Sequence, residues 1–465
     1  MRNRLLMASV TLALSYPAFA DDIGSLKQQL DSLKQDYELR VQTLENRLKK
    51  AEDVVEQQSK KVPPANTANS FNPAISLILD GCYASFSNEP DGYELPGFML
   101  DGEAGLGEEG FSLGHTELAA SANIDDKFYG KATLAMHEHD GSTELELEEA
   151  FIQTIGLGNG VTVKAGRFFS AMGYLNEQHE HAWDFADAPL IYRGLFGNQL
   201  RDDGLQVSYL APTDTFLQFG VEALKGSSSE IGAWTAFANV GGDIGIEHSW
   251  LFGLSHWQAD DIAGRTSGGH NHAEQHEEEE HHEEEEHEEH EEEEHEEHEE
   301  EHGIETPSFS GENKIIALDF VYKWAPKGNP KYRNFKFQFE YFNRTEDGTI
   351  TLLDSDPLEI TNYDGDQSGW YAQAVYQFMP QWRTGLRYDQ LNSGNSAADE
   401  ELLLEAGLGD EGHTPRRYSL MLEWLPSEFS RIRLQFNRDE SYADTDNQVF
   451  LQYTYSLGSH GSHQF

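Results

Sequence analysis

The segment Val449-Phe450-Leu451-Gln452-Tyr453-Thr454-Tyr455-Ser456-Leu457 places an apolar residue at every second position. Because successive side chains of a β-strand point to opposite faces, this period of two predicts a strand with one continuous apolar face. The opposite face is mostly polar, and tyrosines stand toward one end of the apolar face. That arrangement is typical of a strand with lipid outside and water inside. The segment therefore predicts a strand of a transmembrane β-barrel.

The same alternation recurs upstream and divides most of the chain into strands. Phe335, Phe337 and Phe339, for example, alternate with lysine, glutamine and glutamate. We predict sixteen strands, at 73–86, 113–123, 127–138, 143–155, 160–168, 204–211, 214–224, 232–240, 246–257, 314–325, 334–345, 368–379, 381–391, 416–425, 429–439 and 446–458. An even number returns both chain ends to one side of a barrel. At Glu148-Glu149 the alternation slips by one residue, which we interpret as a β-bulge.

The connections between these strands differ in length according to the side on which they fall. Short turns such as Pro212-Thr213 and Pro426-Ser427-Glu428 alternate with long connections, at 87–112, 169–203, 258–313, 346–367 and 392–415. Outer-membrane barrels have short periplasmic turns and longer extracellular loops. This parity favours an all-β transmembrane barrel of about sixteen antiparallel strands, at 72–465, over a soluble β-protein.

The first twenty residues have the features of a cleaved signal peptide. Arg2 and Arg4 precede an apolar stretch at 5–14, and Ala18-Phe19-Ala20 gives the small-x-small pattern of a cleavage site. The apolar stretch is too short to span a bilayer as a helix. We therefore predict residues 1–20 to be a signal peptide of an exported protein.

The sequence of residues 21–60 predicts a short α-helical coiled coil in the periplasm. Apolar residues recur at spacings of three and four, with one stutter between Tyr37 and Val41, where the supercoil would locally unwind. A homomeric coiled coil implies an oligomer. Residues 61–71, which include Pro63-Pro64, are predicted to be the linker to the barrel.

The charge of the chain is strongly negative. There are 83 acidic residues against 32 lysines and arginines, which gives a formal net charge of −51. Such a balance argues against nucleic acid as a partner and favours cations. Cys82 is the single cysteine, so the exported chain has no intramolecular disulfide.

Two motifs resemble those of the phosphate-selective porin family. The first is Gly166-Arg167-Phe168-Phe169, followed by Gly173 and by Arg-Asp-Asp-Gly-Leu-Gln-Val at 201–207; the second is the terminal Phe465. The resemblance implies an outer-membrane porin: a coiled coil before a sixteen-stranded homotrimeric barrel in contact with membrane lipid. It also implies a constriction loop at 169–203 that folds into the pore, and recognition of Phe465 by the barrel-assembly machinery.

The sequence departs from that family in its charge. The family's phosphate selectivity depends on a basic ladder and a lysine cluster, whereas the outer connections here are overwhelmingly acidic. We predict that five arginines line one wall of the pore: Arg383, Arg387, Arg417, Arg431 and Arg433. Phosphate is therefore not the favoured solute.

The connection 258–313 contains a tract with an unusual composition. Residues 270–302 hold twenty glutamates and ten histidines: His270, His272, His276, His281, His282, His287, His290, His295, His298 and His302. Imidazole nitrogen together with carboxylate oxygen suits borderline divalent ions, Zn²⁺ first and then Ni²⁺ or Cu²⁺. A solvated acidic tract would explain a run of glutamates alone, but it does not explain the interleaved histidines. We predict many weak metal sites in an extracellular loop.

Other histidines add to this prediction. His137 with His139, and His179 with His181, fall in predicted outer loops, and we include both pairs as candidate metal ligands. His115 is predicted near the same rim.

Three functions remain open on the sequence. The first is an outer-membrane porin that gathers zinc or another divalent ion at the loop and lets it diffuse inward. The second is a general or anion-selective, phosphate-type porin with an incidental acidic loop. The third is a surface metal-binding or adhesion protein. No catalytic motif stands out, so an enzyme is not expected, and no cofactor is required beyond the bound or transported ion.

Overall fold

A computed structural model describes residues 73–458 apart from 91–92, 101–103, 140–141, 228–230, 267–305, 354–357, 411 and 443. The strands are β1 (Ala74–Ser85), β2 (Gly110–Leu113), β3 (Thr116–Asn123), β4 (Phe128–His139), β5 (Ser142–Thr154), β6 (Val161–Phe169), β7 (Arg201–Leu210), β8 (Phe216–Leu224), β9 (Ala233–Ile244), β10 (His248–Thr266), β11 (Pro307–Trp324), β12 (Asn334–Leu352), β13 (Glu359–Met379), β14 (Trp382–Ser393), β15 (Ser396–Ala397), β16 (Arg416–Ser427), β17 (Ser430–Glu440) and β18 (Asp446–Gly458). The signal peptide, coiled coil, linker, His/Glu tract and Phe465 predicted above lie outside the described residues.

The strands form one closed antiparallel barrel. Each pairs with its neighbours in sequence, and β1 closes the ring by pairing with β18 on one side and with β2 and β3 on the other. β2 and β3 make one barrel strand interrupted at Gly114-His115, and β15 has only two residues. The described part of the chain therefore has sixteen barrel strands, as predicted, and sequence segment and barrel strand correspond throughout.

The outer surface of the barrel is apolar. In β18 the outward residues Leu451 and Tyr453 are 45% and 46% exposed, whereas the inward Gln448 and Gln452 are buried. The other strands repeat this pattern with exposed leucine, valine, phenylalanine and tyrosine. Apolar rows around a closed ring of strands suit contact with lipid, and closure leaves no unpaired strand edge in the hydrocarbon.

Four strands are longer than the sequence predicted. β10 extends to Thr266 and β11 begins at Pro307. The connection predicted at 258–313 is therefore shorter than expected. β12 and β13 stay paired up to Leu352 and Glu359, so the prediction of a long connection at 346–367 was wrong. The added segments contain residues such as Glu346 and Asp364. They carry polar residues on both faces, which removes the alternation that marks a lipid-facing strand.

One long connection, residues 170–200, lies inside the barrel, as the family resemblance implied. This inward loop contains a short 3₁₀ turn, Glu180–Ala182, and the helix α1, Leu190–Phe196. Gly197 ends α1 in the left-handed conformation, with φ of 59°, which glycine adopts without steric cost. Leu190, Ile191 and Tyr192 of α1 are buried in the main apolar cluster.

That cluster fills the barrel toward the outer ends of the strands. The connection between β1 and β2 contributes Leu95 and Phe98, and a helix of the connection before β16, α2 (Glu400–Glu405), contributes Leu402 and Leu403. A Cβ at Gly194 of α1 would lie 2.8 Å from the Phe98 ring. Among the described residues, no helix is long and apolar enough to cross a membrane.

Candidate metal centre in the barrel lumen

The inward loop is fixed on one side by two buried aspartates. Asp187 accepts hydrogen bonds from Arg387 Nη2 at 2.6 Å and Asn437 Nδ2 at 2.8 Å, and its other ion pair is with Arg417 at 3.0 Å. Asp184 contacts Lys336 Nζ at 3.1 Å. Burial alone would raise the pKa of Asp187, but Arg387 and Arg417 hold it well below its usual range. The negative charges of Asp184 and Asp187 are thus compensated by cationic side chains of the barrel wall.

The five arginines predicted to line the pore face the barrel interior but are covered by this loop. Arg387, Arg417 and Arg433 have side chains no more than 1% exposed. Arg383 and Arg433 pair with Glu423, and Arg431 donates to the carbonyl oxygen of His181 at 2.8 Å. Because these guanidinium groups are bound to protein acceptors, they position the loop.

On the opposite side, the loop meets a β-bulge in β5. Thr133 of β4 pairs with Glu149 and Leu134 pairs with Leu147, so Glu148 is the extra residue. Both Glu148 and Glu149 are buried on the lumenal face, at 2% and 6% exposure. The slip predicted from the sequence is therefore a bulge, and it turns two successive carboxylates inward where a regular strand would present one.

Two histidines of the inward loop reach these carboxylates. His179 Nε2 donates to Glu149 Oε2 at 2.8 Å, and its Nδ1 lies 3.3 Å from Glu117 Oε2 and 3.3 Å from Glu148 Oε2. His181 Nδ1 lies 2.5 Å from Glu117 Oε1, and the two imidazole rings stack at 5.6 Å between centroids. Glu117, His179 and His181 bring their ligand atoms within 4.8 Å of one another.

These three side chains fit a divalent metal ion. Two imidazoles and one carboxylate form a donor set that Zn²⁺ uses when a further coordination position stays open. The His179 Nε2–Glu149 bond orients the ring and leaves Nδ1 directed at Glu117, which is how an outer carboxylate positions a metal-binding histidine. His179 Nδ1 and Glu148 Oε2 are buried without a hydrogen-bond partner. The two atoms face each other at 3.3 Å without hydrogen-bond geometry, so a bound metal ion could take the place of this contact.

The electrostatics of the cluster also favour a cation. Burial alone would lower the pKa of His179, but Glu117, Glu148 and Glu149 raise it to about 10. Burial raises the pKa of Glu180, which lies beside the acidic cluster. Lys131 Nζ supplies positive charge 2.5 Å from Glu149 Oε2 and 2.9 Å from His179 Nε2. The carboxylates therefore exceed the fixed positive charge around the two histidines.

The cluster borders a cavity of about 760 Å³ at the end of the barrel that carries the short turns. Six acidic residues line it: Glu117, Glu149, Glu177, Asp214, Asp243 and Asp319. Two lysines, Lys131 and Lys164, lie on the same lining. The cavity places the candidate ligands next to open lumen of negative character, which concentrates cations.

The structure relocates several histidines that the sequence placed at the outer rim. His179 and His181 belong to an outer connection, as predicted, and this connection folds into the lumen, as the family resemblance implied. His115, at the break between β2 and β3, also faces the lumen and contacts Glu148 at 2.9 Å. His137 is in β4, 3.6 Å from Glu144, and His139 ends that strand. The ten histidines of 270–302 lie outside the described residues.

Sequence reasoning missed the carboxylate partners of this centre, Glu117, Glu148 and Glu149, as ligands. The slip at Glu148-Glu149 was the available signal, because bulges concentrate beside functional sites. Glu117 had no local signal, since it meets His181 across 64 positions of sequence.

No family model matches the chain. An uncharacterized protein of Aquifex aeolicus (strain VF5) is 32% identical over 432 residues, covering 85% of this chain and 80% of that protein. Among solved structures, the in-vitro folded trimer form of OmpT from Vibrio cholerae is 9% identical and covers 83% of this chain and 99% of that chain, with a TM-score of 0.47. The outer membrane channel DcaP of Acinetobacter baumannii is 11% identical, covers 83% and 97%, and has a TM-score of 0.47.

Proposed function

The chain belongs to the same family as the Aquifex aeolicus protein, and we propose that its barrel is an outer-membrane channel for divalent metal ions, zinc foremost. The observation that carries this proposal is the group of Glu117, His179 and His181 inside the lumen. Ligands on an outer loop would only collect ions. Ligands in the lumen border the cavity that a permeating ion would cross.

A permeating ion at this site would bind side chains from two different elements of the barrel. Glu117 belongs to the barrel wall and the two histidines belong to the inward loop, so an ion would bridge the two elements. Conduction requires a site that is favourable enough to enter and weak enough to leave. An incomplete donor set with an open position meets both needs, because water or the next ligand can replace a departing bond.

The His/Glu tract at 270–302 has a separate role in this proposal. Its ten histidines and twenty glutamates offer many interchangeable weak sites outside the cell, which raise the local concentration of ions at the mouth. The lumenal cluster then selects among the ions that enter. We place the coiled coil at 21–60 in the periplasm, and we propose a homotrimer.

The test is zinc influx into proteoliposomes that contain the full-length protein and an enclosed zinc-sensitive dye. The double variant His179→Ala/His181→Ala should slow Zn²⁺ entry several-fold relative to the parent, while K⁺ conductance stays within a factor of two. His248→Ala is the matched control, because that histidine contacts Tyr322 at 2.6 Å, away from the cluster.

Three outcomes separate the proposal from its alternatives. Equal zinc entry in the parent and the double variant would favour a general porin. Preference for anions in reversal-potential measurements would favour the phosphate-type porin. Zinc binding without ion flux through the barrel would favour a surface metal-binding protein.

A further inference from the structure

Glu117 stands between two sets of metal-binding side chains. Its Oε1 faces His181 at 2.5 Å and His115 Nε2 at 3.7 Å, and its Oε2 faces His179 at 3.3 Å. His115, Glu117 and Glu148 form a second group whose ligand atoms all lie within 4.8 Å of one another. We infer that the lumen binds two divalent metal ions side by side, with Glu117 as the carboxylate that both share.

The second group has its own evidence for a ligand. Glu148 is 2% exposed, and its Oε2 has no hydrogen-bond partner, although its Oε1 lies 2.9 Å from His115 Nε2. A buried carboxylate oxygen without a donor costs free energy unless a cation compensates it. That oxygen faces His179 Nδ1 at 3.3 Å, an ion-pair contact without hydrogen-bond geometry, so it points at the space between the two histidine groups.

The charge of the cluster can accommodate two ions. Glu117, Glu148, Glu149 and Glu180 bring four carboxylates to the cluster, and Lys131 pairs with Glu149. Histidines are neutral when they coordinate a metal, so they would not offset these carboxylates. With one lysine against four carboxylates, a single divalent ion leaves one negative charge and a second ion leaves one positive charge, so the charge of the cluster is compatible with either occupancy.

A shared ligand has a consequence for transport, and here the inference rests on the proposed function. Two adjacent cations repel each other, and each holds Glu117 less firmly than it would alone. Entry of a second ion therefore weakens the hold on the first, which is how adjacent sites in a channel speed the exit of a bound ion. Binding can then be selective without stopping the flux.

The experiment is zinc-edge anomalous diffraction from crystals of the full-length protein equilibrated with Zn²⁺. We expect two peaks, one beside His179 and His181 and one beside His115 and Glu148. Glu117→Ala should lose both peaks. His181→Ala should lose the first alone, and His115→Ala the second alone. Glu144→Gln, on the same strand as Glu148, should keep both, and heat-modifiable gel migration checks that every variant has assembled.

Each result decides the inference. One peak beside His179 and His181 that His115→Ala leaves intact would overturn the two-ion site. Two peaks that survive Glu117→Ala would show independent sites without a shared ligand. No peak in the lumen would overturn the metal centre itself. The zinc influx assay is separate: two lumenal ions in a protein without flux would contradict the channel and leave the two-ion site standing.

Discussion

Glu148 faces the lumen because of one additional residue in β5. With the bulge present, Leu145 and Leu147 point outward, at 66% and 38% exposure, and Glu149 still faces inward. A change of one residue in strand register moves every following side chain to the other face. The bulge therefore allows Leu145 and Leu147 to face outward on one side of Glu148 while Glu149 faces inward on the other.

Deleting Glu148 should therefore damage assembly, whereas replacing it should not. Without this residue, either Leu145 and Leu147 turn into the lumen or the pairing of β5 with β4 shifts. We expect the deletion variant to lack heat-modifiable gel migration, while Glu148→Gln assembles normally and binds Zn²⁺ at least ten-fold more weakly. An assembled deletion variant would contradict this account of the bulge.

At the scale of elements, the inward loop is held by contacts of two different kinds. Asp184 and Asp187 join it to arginines and a lysine of β12, β14 and β16, whereas His179 and His181 join it to glutamates of β3 and β5. The first contacts need no bound ion. The second change their partner when a metal binds, so occupancy of the site and position of the loop are linked.

Asp187→Ala should release the loop on the arginine side. It leaves Arg387 and Arg417 without their shared carboxylate, and removal of one partner of a buried ion pair typically costs about 3–5 kcal/mol. We expect a lower thermal midpoint and a larger, noisier single-channel conductance. Asp126→Ala, in an exposed turn, is the control. Unchanged conductance in Asp187→Ala would mean that the remaining contacts alone fix the loop.

The same aspartates predict tolerance of mild acid. Burial alone would raise the pKa of Asp184 and Asp187, but the neighbouring lysine and arginines hold both below the usual range. A carboxylate with a lowered folded-state pKa stabilises the fold above its unfolded value, and this is lost only as the pH falls through the folded value. Conductance with chelator present should therefore stay constant from pH 7 to about pH 5. A change over that interval would show that other groups control the loop.

At the scale of the whole molecule, lipid explains which features the sequence could predict. The hydrocarbon around the barrel imposes a period of two on every spanning strand, so the sixteen strands and the slip at Glu148 were visible locally. In the extended ends of β12 and β13 the outward residues, such as Asp347 and Asp364, are polar, while Ile350 and Tyr363 are buried inside, so the pattern of a lipid-facing strand is lost there. His179 and His181 were predicted as candidate ligands, but their contact with Glu117 could not be predicted, because it forms between a loop and a strand far apart in sequence.

Deleting 270–302 should leave the barrel intact but reduce zinc accumulation when zinc is scarce. A shorter connection between β10 and β11 changes the closure entropy of the loop only slightly. The ten histidines lost would otherwise raise the ion concentration at the mouth, which matters most at low supply. Cellular zinc content at limiting and ample zinc is the measurement. Equal zinc accumulation by the parent and the deletion variant at limiting zinc would contradict the collecting role.

The pairing of β1 with β18, from Ser76 with Gly458 to Ser85 with Val449, also determines the order of biogenesis. β1 pairs with β2 and β3 on one edge, but its other edge has no partner until β18 is made, so the ring cannot close on an unfinished polypeptide. Until then, both edges offer unpaired backbone to other chains, which invites aggregation. A chain truncated before β18 would therefore form no closed pore. It would instead be open to proteolysis in the cell envelope.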